Sequence, residues 1–391
     1  MFKQSCKSSV NGARQLAIQF NVLTGKSIAS PEILSFVEGR SSLRTGGVQW
    51  TNPLEHPDWD GQISGQNHTA CSFFHSAAWA GVLAETYGYT PIYFVANQSG
   101  VMRSLLPMME VQSVLTGNRA VGLPFTDSCD PLCADKAGFK ELFRNAMELA
   151  RVRGWKYLEF RGGQDFFDEI PPSVSFYGHR VDVSANENDF FGQLKSAVRR
   201  AIRKAEKSGV CVEISGELPA VKDFYLLHSK ARKRHGLPPQ PFSFFKNIHK
   251  HILAKNLGMV VLARWNGIPI AGAVFFYGAG AAIYKFGASD DSRQDLRGNN
   301  LVFWEAIRWF SRRGVRKLDL GRTSIGNEGL RRFKLGWNAT EKNISYYRFS
   351  IEQKKFVSKG DESSGWYNRA FNAMPLFASR MVGEVLYRHW A

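Results

Sequence analysis

A chain of 391 residues, 44% hydrophobic and 13% aromatic, is long enough for two or three domains and too apolar to be disordered. Its net charge of +17 points to an anionic partner: a nucleic acid, a phosphorylated ligand or a membrane surface. Five scattered cysteines (Cys6, Cys71, Cys129, Cys133, Cys211) exclude a disulfide scaffold. With no Cys/His set at zinc spacing, they read as the reduced thiols of a cytoplasmic protein without a metal site. The first residues, MFKQSCKSSVNGARQ, lack the apolar core of a signal peptide. The long uncharged run Asn266 to Tyr284 is not read as a membrane span, because Pro269 and the Gly278-Ala279-Gly280 break fit two strands and a tight turn.

Residues 1–50, rich in Ser, Gly and Lys, are expected to form an extension outside the fold. The compact part begins at Leu54. Apolar spacing predicts a helix over Phe73–Tyr87 and strands over Pro91–Ala96, Val101–Val111 and Ala120–Phe125. A helix over Lys136–Arg153 and strands over Trp155–Phe160 and Val174–Val183 follow. The same order then recurs. Pro219–His235 is a helix, and Met259–Trp265 and Ile268–Tyr277 form a hairpin about Asn266-Gly267. Ala281–Phe286 is a third strand, Asn300–Arg313 a helix, and Val315–Leu320 and Ile344–Ile351 the closing strands.

The repeat is also legible in letters. Arg153–Phe160 (RGWKYLEF) aligns with Arg313–Leu320 (RGVRKLDL), and each has Arg-Gly after a helix and an acidic residue five places past the Gly. Shared letters and shared element order together predict a duplicated mixed α/β unit. The expected units are a first domain over 51–183, a second over 184–352 and a tail over 353–391.

Between the halves, 191–208 is expected to be a basic helix. Lys195, Arg199, Arg203 and Lys207 recur every four residues along one face, and Arg200 and Lys204 widen it. Such a face is either solvated or made to meet phosphates. A second cluster, His228 to His235, contains Arg232 and ends at Gly236-Leu237-Pro238-Pro239-Gln240-Pro241. There His228 and His235 could act as acid/base groups or contact phosphate. Asp290–Asn300, with Arg293 and Arg297, feeds a helix N-terminus and could hold a pyrophosphate, or simply cap the helix. Leu318–Trp337 runs from a strand through Gly321 into a stretch dense in basic and aromatic residues: Arg331, Arg332, Phe333, Lys334 and Trp337.

Together, HSKARKRHGLPPQP at 228–241, LARWNGIPIAGAVFFY at 262–277, YKFGASDDSRQDLRGNNLVFWEAI at 284–307 and DLGRTSIGNEGLRRFKLGW at 319–337 resemble the FemAB-like branch of the GNAT acyltransferase superfamily. FFHSAAWAGVLAETYG at 73–88 and L-P-F-x-D at 123–127 also fit. The resemblance implies tandem GNAT-like domains and transfer of an acyl or aminoacyl group to an amine or hydroxyl. It implies no tightly bound cofactor, and aminoacyl-tRNA or acyl-CoA as donor. The implied acceptor is a lipid-linked or nucleotide-linked precursor of peptidoglycan or exopolysaccharide; DNA is not an expected partner. The family's late Phe-Lys pair falls on Phe333 and Lys334, so Lys334 is expected to stabilise developing charge. Arg322 or Arg331 would hold phosphate, and Asp319 would accept a proton or pair with Arg322. Tyr284, Asn300 and Glu305 are further candidates, with Arg199, Arg203, His228, Arg232, Arg293, Arg297 and Trp337 as substrate contacts. The pyrophosphate signature Q/R-x-x-G-x-G/A is absent, which leaves an aminoacyl-tRNA donor open.

Two other readings stand beside this one: a non-catalytic RNA-binding protein, and an acyl-CoA N-acyltransferase with a small acceptor. The tail, Gly365–Ala391, has Phe377, Met381 and Val385 among its apolar residues and reads as an amphipathic helix broken at Pro375. It would lie either on the inner membrane face or on the protein's own core.

Overall fold

The computed structural model describes residues 47–64, 71–98, 101–278, 280–358, 371 and 373–390. Most of the expected extension, and Trp366 and Arg369 of the tail, lie outside these residues.

In the first half the strands are β1 (Val48–Thr51), β2 (Thr90–Gln98), β3 (Val101–Val111), β4 (Arg119–Val121), β5 (Leu132–Cys133), β6 (Tyr157–Arg161) and β7 (Val174–Asp182). The helices are α1 (Trp59–Ser64), α2 (Ala77–Tyr87) and α3 (Lys136–Arg153). Two helices, α4 (Glu187–Gln193) and α5 (Ser196–Lys207), lead into the second half. Its strands are β8 (Cys211–Ser215), β9 (Gly258–Trp265), β10 (Ile268–Gly278), β11 (Ala281–Ser289), β12 (Lys317–Ser324), β13 (Thr340–Ser350) and β14 (Lys355–Phe356). Its helices are α6 (Leu218–Arg234), α7 (Phe242–His251), α8 (Gly298–Arg312) and α9 (Glu328–Leu335), with α10 (Leu376–Leu386) near the C-terminus.

The strands form one mixed sheet in the order β1-β2-β3-β4-β6-β13-β7-β12-β11-β10-β9-β8. Read from its two ends inward, the order is the same in each half: a hairpin, then a short parallel pair (β4 with β6, β11 with β12). At the centre the halves exchange strands. First-half β7 pairs with β12, second-half β13 pairs with β6, and β7 and β13 pair antiparallel with each other. A cut between 183 and 184 therefore parts strands that share hydrogen bonds.

Burial explains the layers. In β2, Ile92 and Phe94 face the core under α3, whereas Tyr93 and Val95 face a central core shared by both halves. In β9, Val260 and Leu262 join that central core, and Met259, Val261 and Ala263 face α8. This is period-two alternation on a sheet covered on both faces. Helices α2, α6 and α7 fill the space between the halves with Trp79, Phe224, Phe244 and Phe245, all buried.

The repeated Arg-Gly is a helix ending. Gly154 follows α3 with φ 65° and Gly314 follows α8 with φ 74°, and glycine adopts this left-handed turn at little cost. Several sequence expectations differ from the structure; the strand expected over Ala120–Phe125, for one, ends at Val121. The basic helix starts at Ser196 rather than 191, because Leu194 is extended and closes α4. Strand β12 continues to Ser324 rather than stopping at Gly321, which sits at φ 71° inside a register shift between Asp319 and Arg322. A bulge re-aims the residues beyond it, and here that residue is Arg322.

Candidate active site

Strands β11 and β12 pair only over Ala281–Ile283 with Lys317–Asp319 and then diverge. The gap opens into a cavity of about 540 Å³ whose wall combines both halves. The first half contributes Phe125, Thr126 and Asp127; β11 contributes Tyr284 and Lys285; β12 contributes Arg322; α6 and its loop contribute His228, Arg232, His235 and Gln240.

The first-half segment is held by its backbone. Leu123 and Phe125 adopt φ of 51° and 62°, and the Tyr346 hydroxyl donates to the carbonyls of Thr126 (3.2 Å) and Asp127 (2.8 Å). Two non-glycine residues in this region cost of order 1–3 kcal/mol each, which the surrounding contacts offset. The segment carries Asp127 to the bulge in β12: a side chain at Gly321 would bring its Cβ within 3.2 Å of the carboxylate. Lys285 donates to the Phe125 carbonyl at 2.5 Å and to Asp127 at 3.3 Å. Its ammonium also lies 5.3 Å from the centre of the Phe74 ring and 5.2 Å from that of Phe286. Burial alone would raise the Asp127 pKa, but Lys285, Arg322 and Lys334 together hold it below the usual carboxylate value. Burial lowers that of Lys285, and Asp127 opposes this. The Arg322 guanidinium stacks 4.2 Å above Phe176 and 5.3 Å from Tyr346.

Two more groups are fixed by neighbours. His228 is buried, donating Nε2–H to Gln240 Oε1 at 2.8 Å; burial and then Arg232 push it down to about 3, so it is neutral. The Tyr284 hydroxyl lies over Gly287, where a Cβ would come within 1.7 Å of it. Burial pushes the Tyr284 pKa well up, which keeps the phenol protonated.

The expected site residues divide sharply. Phe333, Arg322, Tyr284, His228 and Arg232 line the cavity. Lys334 does not: it is buried at 2% exposure, and its ammonium donates to the carbonyls of Gly321 and Arg322 at 2.9 Å each. Lys334 is thus held against β12 at the bulge before Arg322 rather than at the cavity wall. Asp319 likewise turns inward, accepting from the Gly321 N–H at 2.7 Å.

Other expected contacts are spent elsewhere. Arg331 forks onto Glu341 at 2.8 Å through two nitrogens, and Glu305 pairs with Arg308 at 2.8 Å. Trp337 is fully buried against Phe303. Arg293 lies over Trp265, and Arg297, at φ 58°, forms the joint before α8. In that helix Asn299, not Asn300, reaches the cavity. Arg199 and Arg203 lie on α5, away from the wall; Arg203 and its neighbours Lys195, Arg200, Lys204 and Lys207 are exposed, with no ion pair among the described residues.

Sequence reasoning missed Asp127, Lys285 and Gln240 as site residues. Lys285 had a signal: it is the one charge in the nine-residue strand AAIYKFGAS. Among the described residues no group of three or more His, Cys, Asp or Glu could hold a metal, and no helix is long and apolar enough to cross a membrane.

Comparison with known proteins agrees with this architecture. Residues 192–335 match the family model described as an acetyltransferase (GNAT) domain. The crystal structure of FemX superposes with a TM-score of 0.61 at 14% identity, covering 76% of this chain and 96% of that one. N-myristoyltransferase from Saccharomyces cerevisiae, solved with myristoyl-CoA, gives 0.49 at 10% identity over 89% of each chain. A tandem GNAT protein from the clavulanic acid biosynthesis pathway gives 0.48 at 10% identity, over 78% of this chain and 98% of that one. No curated protein sequence matches. The chain thus contains a GNAT domain and has the FemX fold, the FemAB-like architecture expected from its sequence. Its GNAT domain marks it as an acyltransferase.

Proposed function

We propose that the protein moves an aminoacyl group from aminoacyl-tRNA to an amine or hydroxyl of a peptidoglycan or exopolysaccharide precursor, in the cavity between its two halves. The observation that carries this reading is the charge arrangement there: a carboxylate, Asp127, flanked by Lys285 and Arg322 at the end of a diverging strand pair. Asp127 is ionised at neutral pH and suits an incoming neutral amine or hydroxyl, whose N–H or O–H it would accept as a hydrogen bond, aiming the lone pair at the donor carbonyl. Arg322 and Tyr284 line the same space and are the donors available to an oxyanion formed there as nitrogen or oxygen attacks the donor's ester carbonyl. The new bond to the carbonyl carbon forms, the bond to the ribose oxygen breaks, and the acceptor's proton leaves to that oxygen. Holding both partners in one pocket supplies much of the acceleration.

The tRNA donor is supported by α5. Its exposed cations form a row that a small thioester has no use for. The Lys195 N–H donates to the Gly336 carbonyl just past α9, and α9 supplies Leu330 and Phe333 to the cavity wall, so the row leads toward the site. An acyl-CoA donor is the second reading, favoured by the GNAT domain match. FemX-like architecture supports a cell-envelope acceptor.

The test is a transfer assay with labelled aminoacyl-tRNA and labelled acyl-CoA, each offered nucleotide-linked and lipid-linked muropeptides. Label should pass from the tRNA to the precursor. Arg200→Gln/Arg203→Gln/Lys204→Gln should weaken tRNA binding and flatten its salt dependence by about three units of log–log slope. Transfer from acyl-CoA alone, with unchanged kinetics in the α5 variant, overturns the donor assignment.

A further inference from the structure

The C-terminal helix both docks on the protein and presents an apolar face outward. Its small face packs inward: Ser379 and Gly383 are buried, and a Cβ at Gly383 would come within 2.1 Å of the Pro239 carbonyl. The following turn locks the joint. Tyr387 donates to the Pro238 carbonyl at 3.1 Å and accepts from Arg232 at 2.7 Å, while Arg119 donates to the His389 carbonyl at 2.7 Å. The opposite face carries Phe377, Met381 and Val385, exposed to 69%, 64% and 61%. Their four-residue spacing puts them in one stripe, whereas most of the other exposed large hydrophobics are scattered over the molecule.

The helix next to α10 and the turn that follows it carry cations. Arg380 of α10 lies over Tyr225 of α6, so the two helices are neighbours. One position on from Tyr225, Leu226 is 48% exposed, and Lys222 lies one turn before it. Lys222, Lys233 and Arg388 form no ion pair among the described residues; Glu384 is the one acidic residue on α10. An apolar stripe flanked by unpaired cations, on a chain of net charge +17, complements an anionic bilayer interface in both hydrophobicity and sign.

We propose that the Phe377–Met381–Val385 face of α10, with the Lys222–Leu226 flank of α6, is a docking surface for anionic phospholipid membrane. The docked helix would lie flat, its stripe about 5–10 Å into the headgroup boundary. Because α10 rests on the Pro238-Pro239 loop, and Gln240 and Arg232 beside it line the main cavity, docking places the cavity one loop away from the lipid headgroups. The surface does not depend on which donor the enzyme uses.

Vesicle flotation tests this with the full chain. Wild type should float with vesicles of phosphatidylglycerol and phosphatidylcholine and remain behind with phosphatidylcholine alone. Phe377→Ser/Met381→Ser/Val385→Ser, all exposed and so compatible with folding, should lower the bound fraction about thirtyfold or more at an unchanged melting temperature. Lys222→Gln/Arg388→Gln should weaken binding mainly at low salt. Arg200→Gln/Arg203→Gln/Lys204→Gln on α5 should leave flotation intact. The proposal falls if the triple serine variant floats like wild type, if the α5 variant alone abolishes flotation, or if light scattering finds a wild-type dimer that the serine variant dissolves.

Discussion

The two halves end their parallel strand pairs in opposite ways. In the first, the gap beyond β4 and β6 is stitched shut: Gly122 N–H donates to the Glu159 carbonyl and Cys129 N–H to that of Arg161, both at 2.7 Å. Glu159 is neutralised there by Arg161 at 3.0 Å and by Arg348 from the exchanged strand β13. The second half has Asp319 where the first has Glu159, but Gly321 where the first has Arg161. Losing that arginine side chain leaves room, and Asp127 of the first half enters the space instead. One half is thus sealed beyond its parallel pair, and the other is open and takes in a carboxylate from the first.

The contrast breaks most completely at the Asp127–Lys285 pair. Asp127→Asn should lower kcat/KM more than about a hundredfold, the scale of one lost preorganised charge in a dry site. Lys285→Met leaves the carboxylate without its direct partner and should cost about 3 kcal/mol of stability by urea unfolding, as for other broken buried pairs. The double variant separates the two roles: it should regain much of the stability, because no lone charge remains, and none of the activity. Wild-type turnover in the double variant would mean that the open gap is not the site.

Lys334 offers a sharper, smaller effect. Burial holds its ammonium down to about 8, with Asp127 and Asp319 opposing. Unfolded, the residue returns to its ordinary 10.5. Between those values the unfolded chain keeps a proton that the folded chain has released, so stability rises with pH across that window. The gain is at most about 3 kcal/mol, at roughly 1.36 kcal/mol per unit. Lys334→Met should lose this slope relative to wild type and lower kcat about tenfold, because the Gly321 and Arg322 carbonyls lose their donor and the bulge loosens. A variant with the wild-type pH slope would show that the buried ammonium is not what ties β12 down.

Much of this architecture was legible in order and period. The Arg-Gly repeat marked two equivalent helix endings, and the apolar runs at Pro91–Ala96 and Met259–Trp265 marked strands. The strand exchange was not legible, because local pattern says that a segment is a strand and nothing about which strand it pairs with. For the same reason Asp127 stayed hidden: its lysine partner is 158 residues away. The setting of Lys334 was hidden for a different reason. In a string of basic and aromatic residues it looks free, yet α9 turns Arg332 outward and Lys334 inward onto strand carbonyls. Trp337 has the same origin, an aromatic that looks like a stacking platform and is core.

The mildest test of the comparison lies in the sealed half. A second cavity of about 280 Å³ sits at the far end of β6, lined by Gln164, Asp165 and Lys342 among others. It lies beyond the closed gap and has neither the Lys285–Asp127 pair nor a counterpart of Arg322, since Gly162 stands, at the offset of the repeat, where the second half has that arginine. Gln164→Ala/Asp165→Asn/Lys342→Met should therefore leave kcat/KM within about twofold and stability within about 0.5 kcal/mol, as for surface substitutions generally. A tenfold loss of turnover at unchanged stability would mean that the first copy kept a substrate contact of its own, and the division into scaffold and site would have to be redrawn.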